Sequence, residues 1–387
     1  MRSETFQISW HKLFVFATVL SLSALAGAQR YQQTNLVSDV DEINGVPTNH
    51  TQPFDPQLVN PWGLAASATS PLWVSDNGTG VSTLYQGSGA KVSLVVTLPV
   101  PAGQTMPAAP TGIVFNSSAS ATNFSVSANA KTGRAAFLFA SEDGIISGWS
   151  PSVDGTHAIV AVPNANAPAT SPHTVYKGLT MANNGFQDLL YATNFTGGKV
   201  EVYDGTFTPV AVPGGFVDNE LPRGFAPFNI QNIGGALYVT FAKQGDGADE
   251  QHGPGLGRVD VFDANGNLLK RLDHGGWLNA PWGVALAPAG FGFYSNHLLV
   301  GNFGSGAIAA YDLASGHFDG LLRDANNRFL VIDGLWAIRF GNNTATQDFR
   351  TTLFFTAGPA DESHGLFGTL LPVGDPNAAE DNGNDRR

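Results

Sequence analysis

The sequence predicts an all-β fold, a six-bladed β-propeller with four antiparallel strands in each blade. A short phrase, typified by Pro-Trp-Gly and an apolar pair, recurs six times, centred on Gly63, Gly112, Gly178, Asn229, Gly283 and Ala337. Two more short apolar runs follow each copy, separated by polar turns. Short strands repeating about every 50 residues are typical of propellers. Apolar positions at helical spacing do not extend beyond a turn or two.

Each unit contains the strands of one blade in order. The phrase predicts the inner strand. The second strands are predicted to begin at Leu72, Ala136, Leu189, Ala236, Leu298 and Leu353, and the third at Val81, Ile145, Lys199, Arg258, Ala307 and Gly365. Several units add a fourth run, such as Leu268 to Leu272, which follows the hairpin signal Asp-Ala-Asn-Gly at 263–266. The Pro-rich and Asn-rich stretch 163–175 predicts a surface loop.

The ring is expected to close through the N-terminal part of the chain. The sixth unit ends after three runs, while Thr34 to Val40 stands alone before the first phrase. We therefore predict that 34–40 supplies the outer strand of the last blade and pairs with 365–371. This pairing would leave no long open edge.

The two ends of the chain differ from the repeat region. Residues 1–28 predict a signal peptide, because Arg2 and Lys12 precede a largely apolar stretch and Ala26-Gly27-Ala28 offers a cleavage site. The alternative is an uncleaved anchor, although Leu13–Leu25 is short for a membrane span. We expect a single domain over 29–373, a disordered acidic tail over 374–387, and no membrane span after signal cleavage. The expected location is secreted or periplasmic.

Composition excludes several classes of function. The net charge is −12, and no basic cluster exists to bind nucleic acid. There is no cysteine, which excludes disulfides, thiolate metal ligands and cysteine nucleophiles. No Gly-x-Ser-x-Gly elbow, phosphate loop or His-Glu-x-x-His motif occurs.

Several phrases resemble known repeats. Pro-x-Gly-apolar strands followed by "lyVaD"-type strands resemble NHL repeats. The phrases NLVSDV, NPWGLA, WVSDNGTGVSTLY, GFAPFNIQNIGGALYVTFAKQ, PWGVALAPAGFG and LLVGNFGSG resemble an uncharacterised family of secreted bacterial propellers, some with PEP-CTERM sorting signals. The likeness spans about 34–372. It implies a bacterial exported propeller and provides no established catalytic residues to assign to this chain. This chain departs from the family at its end, where no hydrophobic helix and no basic cluster follow the tail.

The turns after the second strands are expected to surround one mouth of the propeller channel, because the inner strands begin at the same face. Their polar residues are Asp76, Asn77, Glu142, Asp143, Asn194, Lys243, Gln244, Asn302, Asp361, Glu362 and His364. One interpretation is that these residues cap turns by local hydrogen bonds. The other is that they bind a ligand.

Oxygen ligands in this set suggest calcium as a cofactor. The candidate metal ligands are Asp76, Glu142, Asn194 and Asn302. Lys243 argues against a simple cation ring, and the sequence leaves open whether it holds a substrate carboxylate or pairs with Glu142. The Gly-rich loop 243–257 lacks EF-hand spacing and is interpreted as a flexible turn, with a lid or ion loop as the alternative.

Four aromatic residues share one repeat position, directly before the central residue of the phrase. They are Trp62, Phe228, Trp282 and Trp336. They are expected either to pack between blades or to form an aromatic rim on which a sugar or apolar ligand stacks.

The function predicted from these features is binding of a protein, glycan or small ligand at the polar mouth. The alternative is a calcium-dependent hydrolase of lactonase type, in which one carboxylate acts as base toward a metal-bound water. That alternative rests on analogy between folds.

Overall fold

The computed structural model describes residues 30–104, 107–164, 174–344, 346 and 350–373, and within them it is almost entirely β-structure. The predicted signal peptide and acidic tail, and most of the predicted loop 163–175, lie outside the described residues. One 3-10 turn, Gly292–Tyr294, interrupts the strands. In the described part of the chain no helix has the length and apolar character needed to cross a membrane.

Six antiparallel sheets form blades one to six in chain order, which confirms the predicted propeller. Strands are numbered along the chain. The inner strands are β4 (Pro61–Ala65), β8 (Pro110–Phe115), β14 (Tyr176–Asn183), β17 (Phe225–Ile233), β22 (Pro281–Leu286) and β27 (Leu335–Phe340). The second strands are β5 (Leu72–Asp76), β11 (Phe137–Ser141), β15 (Asp188–Asn194), β18 (Ala236–Gln244), β23 (Leu298–Asn302) and β28 (Leu353–Ala357).

The outer part of each blade varies more. The third strands are β6 (Val81–Tyr85), β12 (Ile146–Trp149), β16 (Lys199–Tyr203), β20 (Gly257–Phe262), β24 (Ile308–Tyr311) and β29 (Leu366–Val373). The fourth strands are β7 (Val96–Thr97), β13 (Ile159–Val162), β21 (Leu268–Arg271), β25 (Phe318–Leu321) and, in blade six, β1 (Arg30–Ser38). Short additional strands are β2 (Glu42–Ile43), β3 (Val46–Pro47), β9 (Ser125–Ala128), β10 (Lys131–Arg134), β19 (Glu250–Gln251) and β26 (Arg323–Asp324).

Blade three departs from the predicted four strands. Its sheet has three strands among the described residues, and beyond Tyr203 only an isolated bridge to Pro209 continues the pairing. Pro209 and Pro213 lack the backbone N–H that a strand ladder needs, so the segment cannot form a regular fourth strand.

The N-terminal strand closes the ring as predicted. β1 pairs antiparallel with β29, from Arg30 opposite Val373 to Ser38 opposite Leu366, with an irregularity between Asn35 and Val37. The pairing starts four residues before the predicted segment and stops at Ser38. Asp39 does not extend the ladder, because its carboxylate accepts a hydrogen bond from the Gly365 N–H at 2.8 Å.

Glycine in the repeat phrase lets neighbouring inner strands approach at the channel axis. A Cβ on Gly112 would overlap the backbone nitrogen of Leu179, and one on Gly63 would overlap the carbonyl of Thr111. Glycine avoids both overlaps because it has no side chain. In blade four Asn229 takes the equivalent place, and its side chain donates to the Trp282 carbonyl at 2.7 Å.

Buried hydroxyl groups also join one blade to the next. Thr111 Oγ1 donates to the Tyr176 carbonyl at 2.8 Å, and Thr356 Oγ1 donates to the Trp62 carbonyl at 2.6 Å. Each bond satisfies a buried carbonyl of the neighbouring inner strand.

We expect Gly112→Ala to lower the free energy of unfolding by about 1–3 kcal/mol, because an added methyl group in a packed contact forces the strands apart. Gly155→Ala is the matched control, since a Cβ there meets nothing within 4 Å, and it should change stability by less than about 0.5 kcal/mol. Urea denaturation measures both. Equal effects of the two substitutions would contradict close contact at the axis.

Candidate functional site

Six equivalent turns surround one end of the channel, which is called the mouth below. In each blade a residue at the end of the second strand or directly after it donates its N–H to the carbonyl just before the inner strand, at 2.8–3.1 Å. The donors are Asn77, Glu142, Phe195, Gln244, Phe303 and Gly358, and the acceptors are Asn60, Ala109, Val175, Gly224, Ala280 and Gly334. These bonds define which residues are equivalent among the blades.

The equivalence corrects the sequence-based register in blades three and five, and in blade six it places Gly358, rather than Asp361 or Glu362, at the mouth position. Phe195 and Phe303 occupy the mouth position, whereas Asn194 and Asn302 precede it and end the second strands. Successive side chains of a strand point to opposite faces. A shift of one residue therefore turns Asn194 and Asn302 away from the position where they were expected.

Asp76, Asn194 and Asn302 form hydrogen bonds within their own blades. Asp76 Oδ2 accepts from Thr83 N and Oγ1 at 2.9 and 2.8 Å, and burial raises the pKa of Asp76 well above its usual value. Asn194 Oδ1 accepts from Gly197 N at 2.8 Å, and Asn302 Oδ1 accepts from Asn279 N at 2.9 Å. All three residues therefore fit the interpretation that they cap turns by local hydrogen bonds.

The proposed calcium ligands are not brought together by these contacts. Of the four, Glu142 alone has its side chain bonded across the mouth, to Asn77 and Lys177. Among the described residues, no group of three or more His, Asp or Glu has the arrangement to hold a metal ion. Calcium binding by the four residues stays a prediction that this geometry does not support.

Three other candidates have structural partners outside the centre of the mouth, and a fourth, Asp361, faces solvent. Asp143 Oδ2 accepts from Ala109 N at 2.9 Å. Lys243 Nζ donates to the Arg223 carbonyl at 2.7 Å, so it does not pair with Glu142. His364 Nδ1 lies 2.9 Å from Asp39 Oδ2, beside the end of the closing strand. Asp361 is exposed.

A buried lysine lies at the centre of the mouth. Lys177 Nζ is 2.7 Å from Glu142 Oε1 and 3.7 Å from Glu250 Oε2, and the side chain is 2% exposed. The ammonium also lies 4.9 Å from the Trp62 ring centroid, within range of a cation–π interaction. Burial works against the charge on Lys177, but Glu142 and Glu250 outweigh it and raise the pKa above its ordinary value.

The aromatic residues form a packed floor beneath this lysine. Trp336 is sandwiched between Trp62, at 3.5 Å between ring centroids, and Phe303, at 3.8 Å. Trp282 meets the Trp62 and Trp336 rings edge-on. Trp62, Phe228, Trp282 and Trp336 are all buried. The packing interpretation therefore describes these four residues, which present no open ring face to a ligand.

Hydrogen bonds connect the floor to the mouth. Trp336 Nε1 donates to Asn60 Oδ1 at 3.0 Å, and Asn60 Nδ2 donates to Asn77 Oδ1 at 3.2 Å. Asn77 Nδ2 in turn donates to Glu142 Oε2 at 3.0 Å. Trp62 Nε1, by contrast, has no hydrogen-bond partner among the described residues, although it is buried.

The loop after β18 brings a second carboxylate to Lys177. β19 pairs with β18 and folds the loop back, so that the side chain of Glu250 is only 5% exposed. Glu250 Oε1 lies 3.4 Å from His252 Nε2, while Glu250 Oε2 has no hydrogen-bond partner in the described part of the chain. Burial opposes ionisation of Glu250, yet His252 and Lys177 hold its pKa below the ordinary value. The bond to Glu250 raises the pKa of His252.

A left-handed turn presents the third carboxylate. Ala360, Asp361 and Glu362 have φ values of +56°, +52° and +63°, a region that costs L-residues roughly 1–2 kcal/mol each. Burial, followed by the charges of Glu142 and Glu250, raises the pKa of Glu362 to about 7. Glu362 therefore exchanges its proton near neutral pH.

Sequence reasoning missed Lys177, Glu250 and His252. A signal for Lys177 was present, because it directly precedes Gly178 and so stands at the repeat position of Trp62 and the other floor residues. Glu250 and His252 lie in the loop 243–257, and no local pattern indicates that this loop folds back over the mouth.

We expect Lys177→Met to lower the free energy of unfolding by about 3–5 kcal/mol, because it leaves Glu142 and Glu250 without their buried cation. Lys199→Met is the matched control: Lys199 pairs with Glu201 at 3.0 Å but is 60% exposed. Its loss should cost no more than about 1 kcal/mol. Chemical denaturation of both variants tests this, and a small effect of Lys177→Met would show that the pair contributes little.

Glu362 should make stability depend on pH. Its folded pKa of about 7 exceeds the ordinary value of 4.5, so the folded state holds more protons between these values and its stability falls as pH rises from about 4.5 to 7. Asp260, whose pKa burial raises to about 7, acts in the same window. The difference in melting temperature between wild type and Glu362→Gln, measured from pH 4 to 8, separates the contribution of Glu362 from that of Asp260. A constant difference would contradict the raised pKa.

Comparison with known proteins identifies relatives of this chain. No family model matches it. "Uncharacterized protein L690" of Acanthamoeba polyphaga mimivirus is 33% identical over 327 residues, which cover 82% of this chain and 81% of the relative. "Uncharacterized protein R648" of the same virus is 31% identical over 330 residues, covering 84% and 77%. These relatives are viral, and nothing in the comparisons supports the bacterial source or sorting signal that the resemblance implied.

Solved structures share the fold. A protein of unknown function from Bacteroides thetaiotaomicron has a TM-score of 0.52 at 9% identity, over 88% of this chain and 76% of its own. Streptogramin B lyase has a TM-score of 0.46 at 12% identity, over 89% and 98%. At such identities the likeness concerns the fold alone. The mimivirus relatives are similar along most of their length, and the chain belongs to their family of uncharacterised proteins.

Proposed function

We propose that this propeller is a binding module that takes a small polar ligand at the mouth. The proposal rests on one observation. Three blades place Glu142, Lys177 and Glu250 together above the aromatic floor, within the electrostatic influence of Glu362, and one buried oxygen of Glu250 has no hydrogen-bond partner among the described residues.

Stability alone gives no reason for this arrangement. Removing several charged groups from water costs free energy that their mutual attraction often fails to repay, and apolar residues of similar size would pack as well. The turn that carries Glu362 adds backbone strain, and strain concentrates at functional sites. Ionisable groups with perturbed pKa values are a recognised indication of binding or catalysis.

The depth of the groups favours a small ligand over a protein partner or a stacked glycan. Lys177 and Glu250 are almost completely buried, so a flat protein surface would not reach them. The floor rings have no exposed face on which a sugar could stack. A small molecule, or a narrow end group of a larger one, fits these constraints.

Thermal melts with a chemically mixed panel of small cations, anions and neutral polyols test the proposal. A ligand at a hundredfold its dissociation constant should add about 2.7 kcal/mol to the free energy of unfolding. The gain should be lost in Glu250→Gln and kept in Glu220→Gln, a matched control at a residue that is 74% exposed. If no compound stabilises the protein, or if every active compound stabilises Glu250→Gln equally, the mouth is not the binding site.

A hydrolase is the second candidate, and the pKa of Glu362 favours it. A carboxyl group that titrates near pH 7 beside a histidine of raised pKa has the properties of a general acid or base. Hydrolysis of simple lactones, assayed with calcium and with chelator, tests this form of the proposal. Activity should disappear in Glu362→Gln and persist in Glu220→Gln. Activity that survives in Glu362→Gln would exclude this role.

A further inference from the structure

We propose that the ligand of the mouth is an organic cation, with a primary ammonium or guanidinium group that Glu250, Glu142 and Glu362 bind. The inference rests on the proposed function and specifies the chemical class of its ligand.

The first support is the balance of charge. Three carboxylates, Glu142, Glu250 and Glu362, influence one another, and Lys177, together with His252 when it is protonated, offsets only part of their charge. An anionic ligand would add a further negative charge at short range, which is strongly unfavourable away from bulk water. A cationic group instead reduces the negative charge that remains on the three carboxylates.

The second support is the unused acceptor. Glu250 Oε2 is buried and lacks a hydrogen bond within the described residues, and the nearest cation, Lys177 Nζ, is 3.7 Å away. A buried acceptor without a donor is costly. A charged N–H donor forms the stronger hydrogen bond to a carboxylate, compared with a neutral hydroxyl group.

The third support is that the protein already holds an ammonium group in this environment. Lys177 Nζ contacts two carboxylates and lies within 6 Å of the ring centroids of Trp62, Phe195 and Phe228. Carboxylates and aromatic faces are the groups that recognise organic ammonium ions. The ligand would approach the same carboxylates from the solvent side.

Binding should then release a proton. A cation beside Lys177 requires Glu362 to ionise, and Glu362 faces Glu142 from blade two, Lys177 from blade three, Glu250 and His252 from blade four, and Asn60 from blade one. Protonated His252 also repels a cation. Both groups therefore weaken binding at low pH, and the affinity should rise with pH through about 7.

Isothermal titration with putrescine and with its uncharged analogue 1,4-butanediol tests the inference. Putrescine keeps both charges from pH 6 to 8, because amines of this kind titrate near 10. It should bind about tenfold more tightly at pH 8 than at pH 6 as Glu362 gives up its proton, and the diol should not bind. Glu362→Gln should weaken the pH dependence of putrescine binding. The His252→Gln variant measures the part of that pH dependence that comes from the histidine.

Variants distinguish the mouth from the acidic surface. Glu250→Gln should weaken putrescine binding at least tenfold, whereas Glu220→Gln should leave it unchanged. Equal binding to Glu250→Gln would reveal attraction to the net negative surface and overturn the inference. If the diol or another neutral or anionic compound binds in a Glu250-dependent manner and putrescine does not, the ligand class is wrong and the binding function stands. If nothing in the mixed panel binds at the mouth, both fail.

Discussion

The close approach of the six inner strands at the channel axis is the constraint on which the rest of the structure depends. A Cβ on Gly63, Gly112 or Gly283 would overlap the backbone of the neighbouring inner strand, so these three positions require glycine. Trp62, Trp282 and Trp336, which directly precede the central residue of the phrase in their blades, fill the channel with their stacked and edge-on rings. Because these buried rings close the channel below the mouth, the charged groups above them lie against an apolar floor, where their mutual interactions are stronger than in water.

The same constraint explains why blade three supplies the cation. Its phrase reads Tyr-Lys-Gly, so Lys177 replaces an aromatic ring at the floor position. A lysine there needs compensation, and Glu142 and Glu250 from the neighbouring blades provide it. The charged centre of the mouth thus depends on Lys177, which departs from the aromatic residue of the repeat, while the surrounding repeats fix its position.

The sequence was sufficient for the architecture but not for the site. The recurring phrase predicted six blades, and the unpaired segment near Thr34 predicted the closing strand, because both depend on local patterns and on counting. The mouth residues depend on register at strand ends, where one position decides between Asn194 and Phe195. They also depend on Glu250 and Glu362, whose placement follows from a folded-back loop and a left-handed turn. Neither geometry has a sequence signature.

Closure of blade six by the first and last strands has a consequence for how the protein folds. The segment Arg30–Ser38 is synthesised long before its partner Leu366–Val373. Until then β1 has an unpaired edge, and blades one and six cannot meet. Contacts of such large sequence separation form slowly, and open strand edges in partly folded chains promote aggregation. We therefore expect completion of the ring to be the slowest step in the folding of this chain.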